Sequence, residues 1–188
     1  MNNKYKIVVL SAPSGTGKNT IIEKLVKQAS YLQHSISSTT RDPRGKEKNG
    51  EHYFFLRKRE FEDKIKKDAF LEWAKVLENY YGTSKEFIEK INQNNQIAIL
   101  DIDIQGGLQL KKKYPETLAI FVRPPSLEEL KKRLISRNTE TLQQVEKRLK
   151  LAKVELGYQN HYDFVVTNDK LDDAILKIRK IISEKFNL

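Results

Sequence analysis

The sequence predicts an α/β fold, a parallel sheet covered by helices on both faces, with a small inserted lobe. Three observations predict it. Short, unbroken apolar runs alternate with helical periodicities, the signature of strands buried on both sides. The first run leads through a Gly-rich loop straight into a helix. Residues 35–84 break the rhythm, with short strands close together, which predicts an antiparallel insertion.

Each element has its own signal. Lys6 to Ser11 (KIVVLS) is a buried strand, and Thr20 to Gln28 carries apolar residues at 21, 22, 25 and 26, one helical face. Ser35 to Thr40, rich in Ser and Thr, is extended, and Arg41 to Glu51 is turn chemistry with two Gly and one Pro. Tyr53 to Leu56 is a strand, Glu60 to Lys67 a small amphipathic helix, and Phe70 to Tyr81 one aromatic strand-like stretch. Lys85 to Asn92 is helical, Gln96 to Ile102 a continuous strand, and a helix follows through Leu108 and Leu110. Thr117 to Val122 is a strand closed by Pro124-Pro125. Ser126 caps a helix to Ile135, with Glu129 completing a capping-box pattern, and Thr141 caps another to about Gly157. Asp163 to Thr167 is the last strand, and Leu171 to Phe186 the last helix.

Composition narrows the chemistry. The 188 residues leave room for one core with small lobes. There is no cysteine, which excludes disulfides, thiol nucleophiles and thiolate metal sites. His34, His52 and His161 are scattered singly, so no histidine metal cluster is legible. The longest apolar run, Leu118 to Val122, is far below the roughly 20 residues of a membrane span. The N-terminal stretch is too brief for a signal peptide. These features predict a cytoplasmic protein without a membrane partner. The net charge of +10 suggests an anionic partner. Yet 26 of the 35 cations are Lys and nine are Arg, and Arg is the residue whose planar fork grips phosphate. The placement of those nine matters more than the total. No stacking-aromatic motif or groove-reading helix points to nucleic acid.

The loop after the first strand is Ala12-Pro13-Ser14-Gly15-Thr16-Gly17-Lys18-Asn19-Thr20. It is close to G-x-x-x-x-G-K-[ST] in the confirming context of strand, loop and helix. In that pattern backbone N–H groups converge on phosphate oxygens, the helix N-terminus adds positive charge, and Lys18 reaches the β- and γ-phosphates. Two positions depart from it: Ala12 replaces the first Gly, and Asn19 stands where a Ser or Thr hydroxyl would ligate Mg²⁺. An amide oxygen is also a legitimate Mg²⁺ donor. The competing reading is a Gly-rich turn that only starts a helix. The strand Ile97–Leu100 ends in Asp101, the place for a carboxylate that positions Mg²⁺ through water. Asp103, two residues on, faces the same side if the strand continues.

SAPSGTGK, SSTTRDPRGKEKNGEHYFF, FLEWAKVLENYYGTS, ILDIDIQG, PPSLEELKKRL, RNTET and VTND occur in this order. In these blocks, across essentially its whole length, the sequence resembles the guanylate kinases, a family of P-loop nucleoside monophosphate kinases. The resemblance implies transfer of the γ-phosphoryl of ATP to GMP, with ATP as co-substrate and Mg²⁺ as cofactor. It implies a core of residues 1–34, 85–129 and 159–188, a GMP-binding lobe of 35–84 and a lid of 130–158. Arg41 and Arg44 match the pair that grips the GMP phosphate, with the hydroxyls of Tyr53 and Tyr81. Glu72 matches the guanine-reading carboxylate and Asp103 a second acidic contact on the same edge. Ser37 and Thr83 match the hydroxyls that donate to O6. Arg133, Arg137 and Arg148 match lid arginines over the transferring phosphoryl group. Asn168 and Asp169 match the region that contacts the ATP adenine. Asn138 stands where the family commonly has Gly.

Guanine presents N1–H and N2–H₂ as donors, and one carboxylate accepts both; adenine lacks that pair. The acceptor is a phosphate oxygen, already dianionic near neutral pH, so no general base is needed. The alternative, a catalytically impaired guanylate-kinase-like interaction module, has no need of an ATP cradle. A homo-oligomer is left open.

Overall fold

The computed structural model describes residues 5–136 and 141–188; Arg137 and Asn138 lie outside them. In chain order the elements are β1 (Ile7–Ser11), α1 (Lys18–Gln28), β2 (Leu32–His34), β3 (Ser38–Thr39), β4 (Phe54–Phe55), α2 (Lys58–Lys66), β5 (Phe70–Val76) and β6 (Asn79–Ser84). Then follow α3 (Lys85–Gln93), β7 (Ile97–Asp101), α4 (Ile104–Lys113), β8 (Leu118–Arg123), α5 (Leu127–Ser136), α6 (Leu142–Leu156), a 3-10 turn (Gln159–His161), β9 (Phe164–Thr167) and α7 (Leu171–Phe186).

The main sheet is parallel throughout, in the order β2-β7-β1-β8-β9. Strand alternation explains its unbroken apolar runs. Val8, Leu10, Ile99, Ile120 and Val122 point to one face, under Ile21, Leu25, Ile178 and Ile182 of α1 and α7. Ile7, Val9, Leu100, Ala119 and Phe121 point to the other, against Ile88 and Ile91 of α3 and Leu110 of α4. Every residue of β1 is buried. Each fully buried aliphatic side chain is worth roughly 1.5–3 kcal/mol. A third small cluster, Leu130, Leu134, Val145 and Ala152, joins α5 to α6.

The second sheet has the order β4-β3-β6-β5. It corrects two expectations. The insertion is mixed rather than antiparallel, because β3 pairs parallel with β4 while β6 runs antiparallel to β3 and β5. The single aromatic stretch 70–81 is a hairpin, turned at Leu77-Glu78 between the paired Val76 and Asn79. Leu77 takes φ of 54° there, a left-handed conformation no apolar branched residue announces. Phe61 of α2 stacks on Phe70 and Tyr80, with ring centroids 4.4 and 5.3 Å away, and ties the helix to this sheet. The edge strand β2 and the 3-10 turn carry no sequence signal and were not expected. Around α5, Ser126 Oγ accepts the Glu129 N–H, but the Glu129 carboxylate takes the Arg133 side chain. At α6, Thr141 and Gln144 form both halves of a capping box.

Candidate active site

The carboxyl ends of β1 and β7 open onto a cavity of about 510 Å³, where ligands sit in open parallel sheets. Its walls are residues 12–20 together with Tyr53, Asp101, Asp103 and Glu155. The loop turns through Gly15 and Gly17, with φ of +92° and +94°. A Cβ on Gly15 would lie 2.6 Å from Leu134 of α5, and one on Gly17 2.9 Å from the Asn168 amide. The loop therefore fits closely beneath α5 and beside the end of β9. Gly17 is the N-cap of α1 and no side chain caps the helix. The first-turn N–H groups, with the helix dipole behind them, are left for an anion.

Lys18 lies at the head of α1 and pairs with Asp101, while its Nζ donates to the Ile102 carbonyl at 3.0 Å. Asn19 and Thr20 line the same wall. β7 ends at Asp101, and Asp103 instead caps α4 by accepting the Gly106 N–H at 2.7 Å. The strand does not continue, yet both carboxylates line the cavity.

A second cavity of about 230 Å³ shares the Tyr53, Asp101 and Asp103 walls and adds Ser37, Glu72, Ala74, Val76, Tyr81 and Gly82. Glu72 sits at 7% exposure on β5. Burial pushes its carboxyl up to about 7, with the Asp103 charge adding and the Thr83 hydroxyl opposing. Thr83 is fully buried and donates to Glu72 Oε1 at 2.6 Å. Its hydroxyl hydrogen is directed at the carboxylate, and it lies behind that cavity's wall. Burial also raises Tyr53.

Arg41 stacks over the Tyr53 ring, 5.3 Å from its centroid, and forms a two-pronged ion pair with Glu47. Arg44 is exposed on the same turn. The sequence-expected lid arginines divide. Arg148 of α6 donates to Ser14 Oγ at 2.8 Å. Arg133 of α5 turns the other way, donating to the carbonyls of Asn168 and Asp169 at 2.8 and 3.3 Å. There it lines a cavity of about 290 Å³ with Gly15, Gly17, Thr20, Asn168 and Asp169. Asn168 holds the loop through Thr16, whose carbonyl accepts its Nδ2 at 2.7 Å. Arg137 lies outside the described residues.

Sequence reasoning missed Glu155. It reaches from α6 onto the wall of the larger cavity, and burial raises its carboxyl against the pull of Lys18. Its Oε2 is buried without a hydrogen-bond partner. No local motif marks it; only its helical phase does, since Arg148 and Glu155 are seven residues apart and share a face. The paired glycines of α4 were also missed. A Cβ on Gly106 would lie 3.0 Å from Glu72 Oε2, and one on Gly107 2.8 Å from the Tyr162 hydroxyl.

Comparison with known proteins places this arrangement. The family model described as guanylate kinase matches residues 4–185. A guanylate kinase of Caldanaerobacter subterraneus subsp. tengcongensis is 49% identical over 176 residues, 94% of this chain and 85% of that protein. One of Clostridium tetani is 49% identical over 180 residues, 96% of this chain and 86% of that protein. The crystal structure of guanylate kinase from Anaplasma phagocytophilum superposes with a TM-score of 0.76 at 29% identity, covering 98% of this chain and 88% of that one. With a Gly-rich loop at a helix N-terminus and a buried carboxylate on adjoining cavities, and similarity of this extent along the chain, the protein belongs to the guanylate kinase family.

Proposed function

We propose that this chain transfers the γ-phosphoryl of ATP to GMP, giving ADP and GDP, the reaction of its family. The observation that carries the reading is the joining of two cavities across Tyr53, Asp101 and Asp103. One is walled by an uncapped helix N-terminus and the other ends on buried Glu72. In this reading the phosphates of ATP take the loop and its adenine takes the cavity of Arg133, Asn168 and Asp169. Guanine enters beside Glu72 and Asp103, with Ser37 donating to O6. Arg41, Arg44, Tyr53 and Tyr81 take the GMP phosphate, so the acceptor oxygen faces the γ-phosphoryl group.

The acceptor needs no base, because a phosphate monoester is largely dianionic near pH 7. Catalysis is positioning and charge neutralisation. Lys18 leaves Asp101 for the phosphates, and Arg148 is already on the loop at Ser14. The donor chemistry fits Mg²⁺ that arrives with the nucleotide. Asn19 and Asp101 supply two hard oxygen donors on the cavity wall, and among the described residues no cluster of three acidic or histidine side chains would hold a metal alone. When bound, the ion neutralises charge on the β- and γ-phosphates. Segment 130–158 acts as a lid and 35–84 as the GMP lobe, together excluding water. No described helix is long and apolar enough to cross a membrane, and the cysteine-free chain suits the cytoplasm.

A coupled assay of ADP release with ATP, Mg²⁺ and one of GMP, AMP, UMP or CMP tests the reading. Turnover is expected with GMP and lost when Mg²⁺ is chelated. Turnover with AMP instead, or with no acceptor at all, defeats it.

A further inference from the structure

Glu47 lies in the turn between β3 and β4, and no role has been given to it above. Its carboxylate accepts from Arg41 Nη1 and Nη2, both at 2.9 Å. One of its oxygens also accepts the Arg44 backbone N–H at 2.7 Å. A single carboxylate thus ties the side chain of one phosphate arginine to the backbone of the other. We propose that Glu47 is a positioning residue for the phosphoryl acceptor, holding Arg41 and the 41–47 turn so that one guanidinium edge stays turned to the GMP phosphate.

The donor inventory supports this. A guanidinium has five N–H donors. Two go to Glu47, and Nη1 gives its other hydrogen to the Asp42 carbonyl at 2.6 Å. The remaining two, Nε–H and the second Nη2 hydrogen, share one side, the fork that suits a phosphate. Tyr81 packs edge-on against Tyr53, with ring centroids 6.2 Å apart, and lines the smaller cavity. Tyr53 and Phe55 lie 5.3 and 5.9 Å from the guanidinium carbon and fix its plane. Glu47 therefore braces the edge away from the ligand rather than filling the ligand's place. The pair needs bracing because no strand or helix spans residues 40–53. Arg41 holds the Glu47 carboxyl down at about 2, so the brace stays ionised throughout the neutral range.

The test compares wild type, Glu47→Gln and Glu47→Asp, with GMP varied at saturating ATP and Mg²⁺. Equilibrium binding of GMP and of guanosine is measured alongside. Glu47→Gln is expected to raise KM for GMP by about 10- to 100-fold, the size of a lost charge-assisted contact. Its kcat stays within about threefold, because the loss is in ground-state positioning. Guanosine, which has no phosphate, keeps its affinity within about twofold. Glu47→Asp, which keeps the charge, recovers part of the loss. An unchanged KM, tighter GMP binding, or equal weakening of GMP and guanosine overturns the proposal, as does loss of the folding transition in both variants. The proposal rests on the GMP reading. Wild type without GMP turnover defeats that reading, whereas wild-type turnover with an indifferent Glu47→Gln defeats this one alone.

Discussion

Glu72 shows how one buried side chain carries both specificity and a pH response. In the proposed reading it accepts both guanine N1–H and N2–H₂ only when ionised, and burial pushes its carboxyl up to about 7. The kcat/KM for GMP is therefore expected to climb with pH through about 7 and level off above it. The GMP phosphate titrates near pH 6. Glu72→Gln keeps that lower limb, loses the upper one, and lowers kcat/KM for GMP by about 100-fold or more. Stability follows the opposite sign. Between the ordinary 4.5 and about 7 the folded protein binds more protons at Glu72 than the unfolded chain, so this residue's contribution falls as pH rises. Denaturant melts at pH 5 and 8 should show Glu72→Gln gaining on wild type at the higher pH. Glu72 was legible because a resemblance of whole blocks marked it, and Lys18 because its loop motif has a physical mechanism. Glu47 and Glu155 were not. Their roles depend on which groups the tertiary fold brings to them, and these leave no fixed spacing.

At the scale of the element, α4 departs most from its local preference. Two adjacent glycines in a helix cost about 1 kcal/mol each against alanine. The cost is accepted because Gly106 leaves room for the Glu72 carboxylate and Gly107 for Tyr162 and Ser11. Gly106→Ala restores helix preference but sets a Cβ 3.0 Å from Glu72 Oε2. KM for GMP is expected to rise about tenfold, while KM for ATP holds, since the loop lies elsewhere. Steady-state kinetics with each substrate varied in turn measures the split. Four of the five strands of the main sheet and its covering helices were legible from periodicity, and α7 begins and ends where the pattern placed it. The hairpin was not, because Leu77-Glu78 contains none of the residues that announce a tight turn. β2 was missed because three residues of mixed polarity on a sheet edge make no pattern.

At the scale of the molecule, the two sheets share no strand pair. The chain crosses between them at residues 35–37 and at the Ser84–Lys85 step, while β5 also packs on the main body, with Leu71 in the second core cluster and Glu72 against Gly106 of α4. In the proposed reading the lobe of 35–84 moves toward the lid by bending at these two crossings. X-ray scattering is expected to show a smaller radius of gyration with GMP and a non-hydrolysable ATP analogue together than with either alone. Identical profiles would count against closure. The positive charge is divided: Arg41 and Arg148 lie by the cleft, Arg133 turns to the Asn168 and Asp169 carbonyls, and Lys85, Lys111 and Lys113 are engaged in ion pairs.

The central position of β1 has a consequence for how the chain is made. It is synthesised before both of its neighbours, β7 and β8. Its edge toward β7 stays open until residue 101 has been added and its edge toward β8 until residue 123, the latter roughly 5 to 20 seconds later at ordinary rates of synthesis. The strands of the small lobe find one another within 38–84 and have no such wait. The nascent chain thus carries an apolar, unpaired β1 beside a lobe already able to fold, and β1 is the segment that a chaperone would be needed to cover.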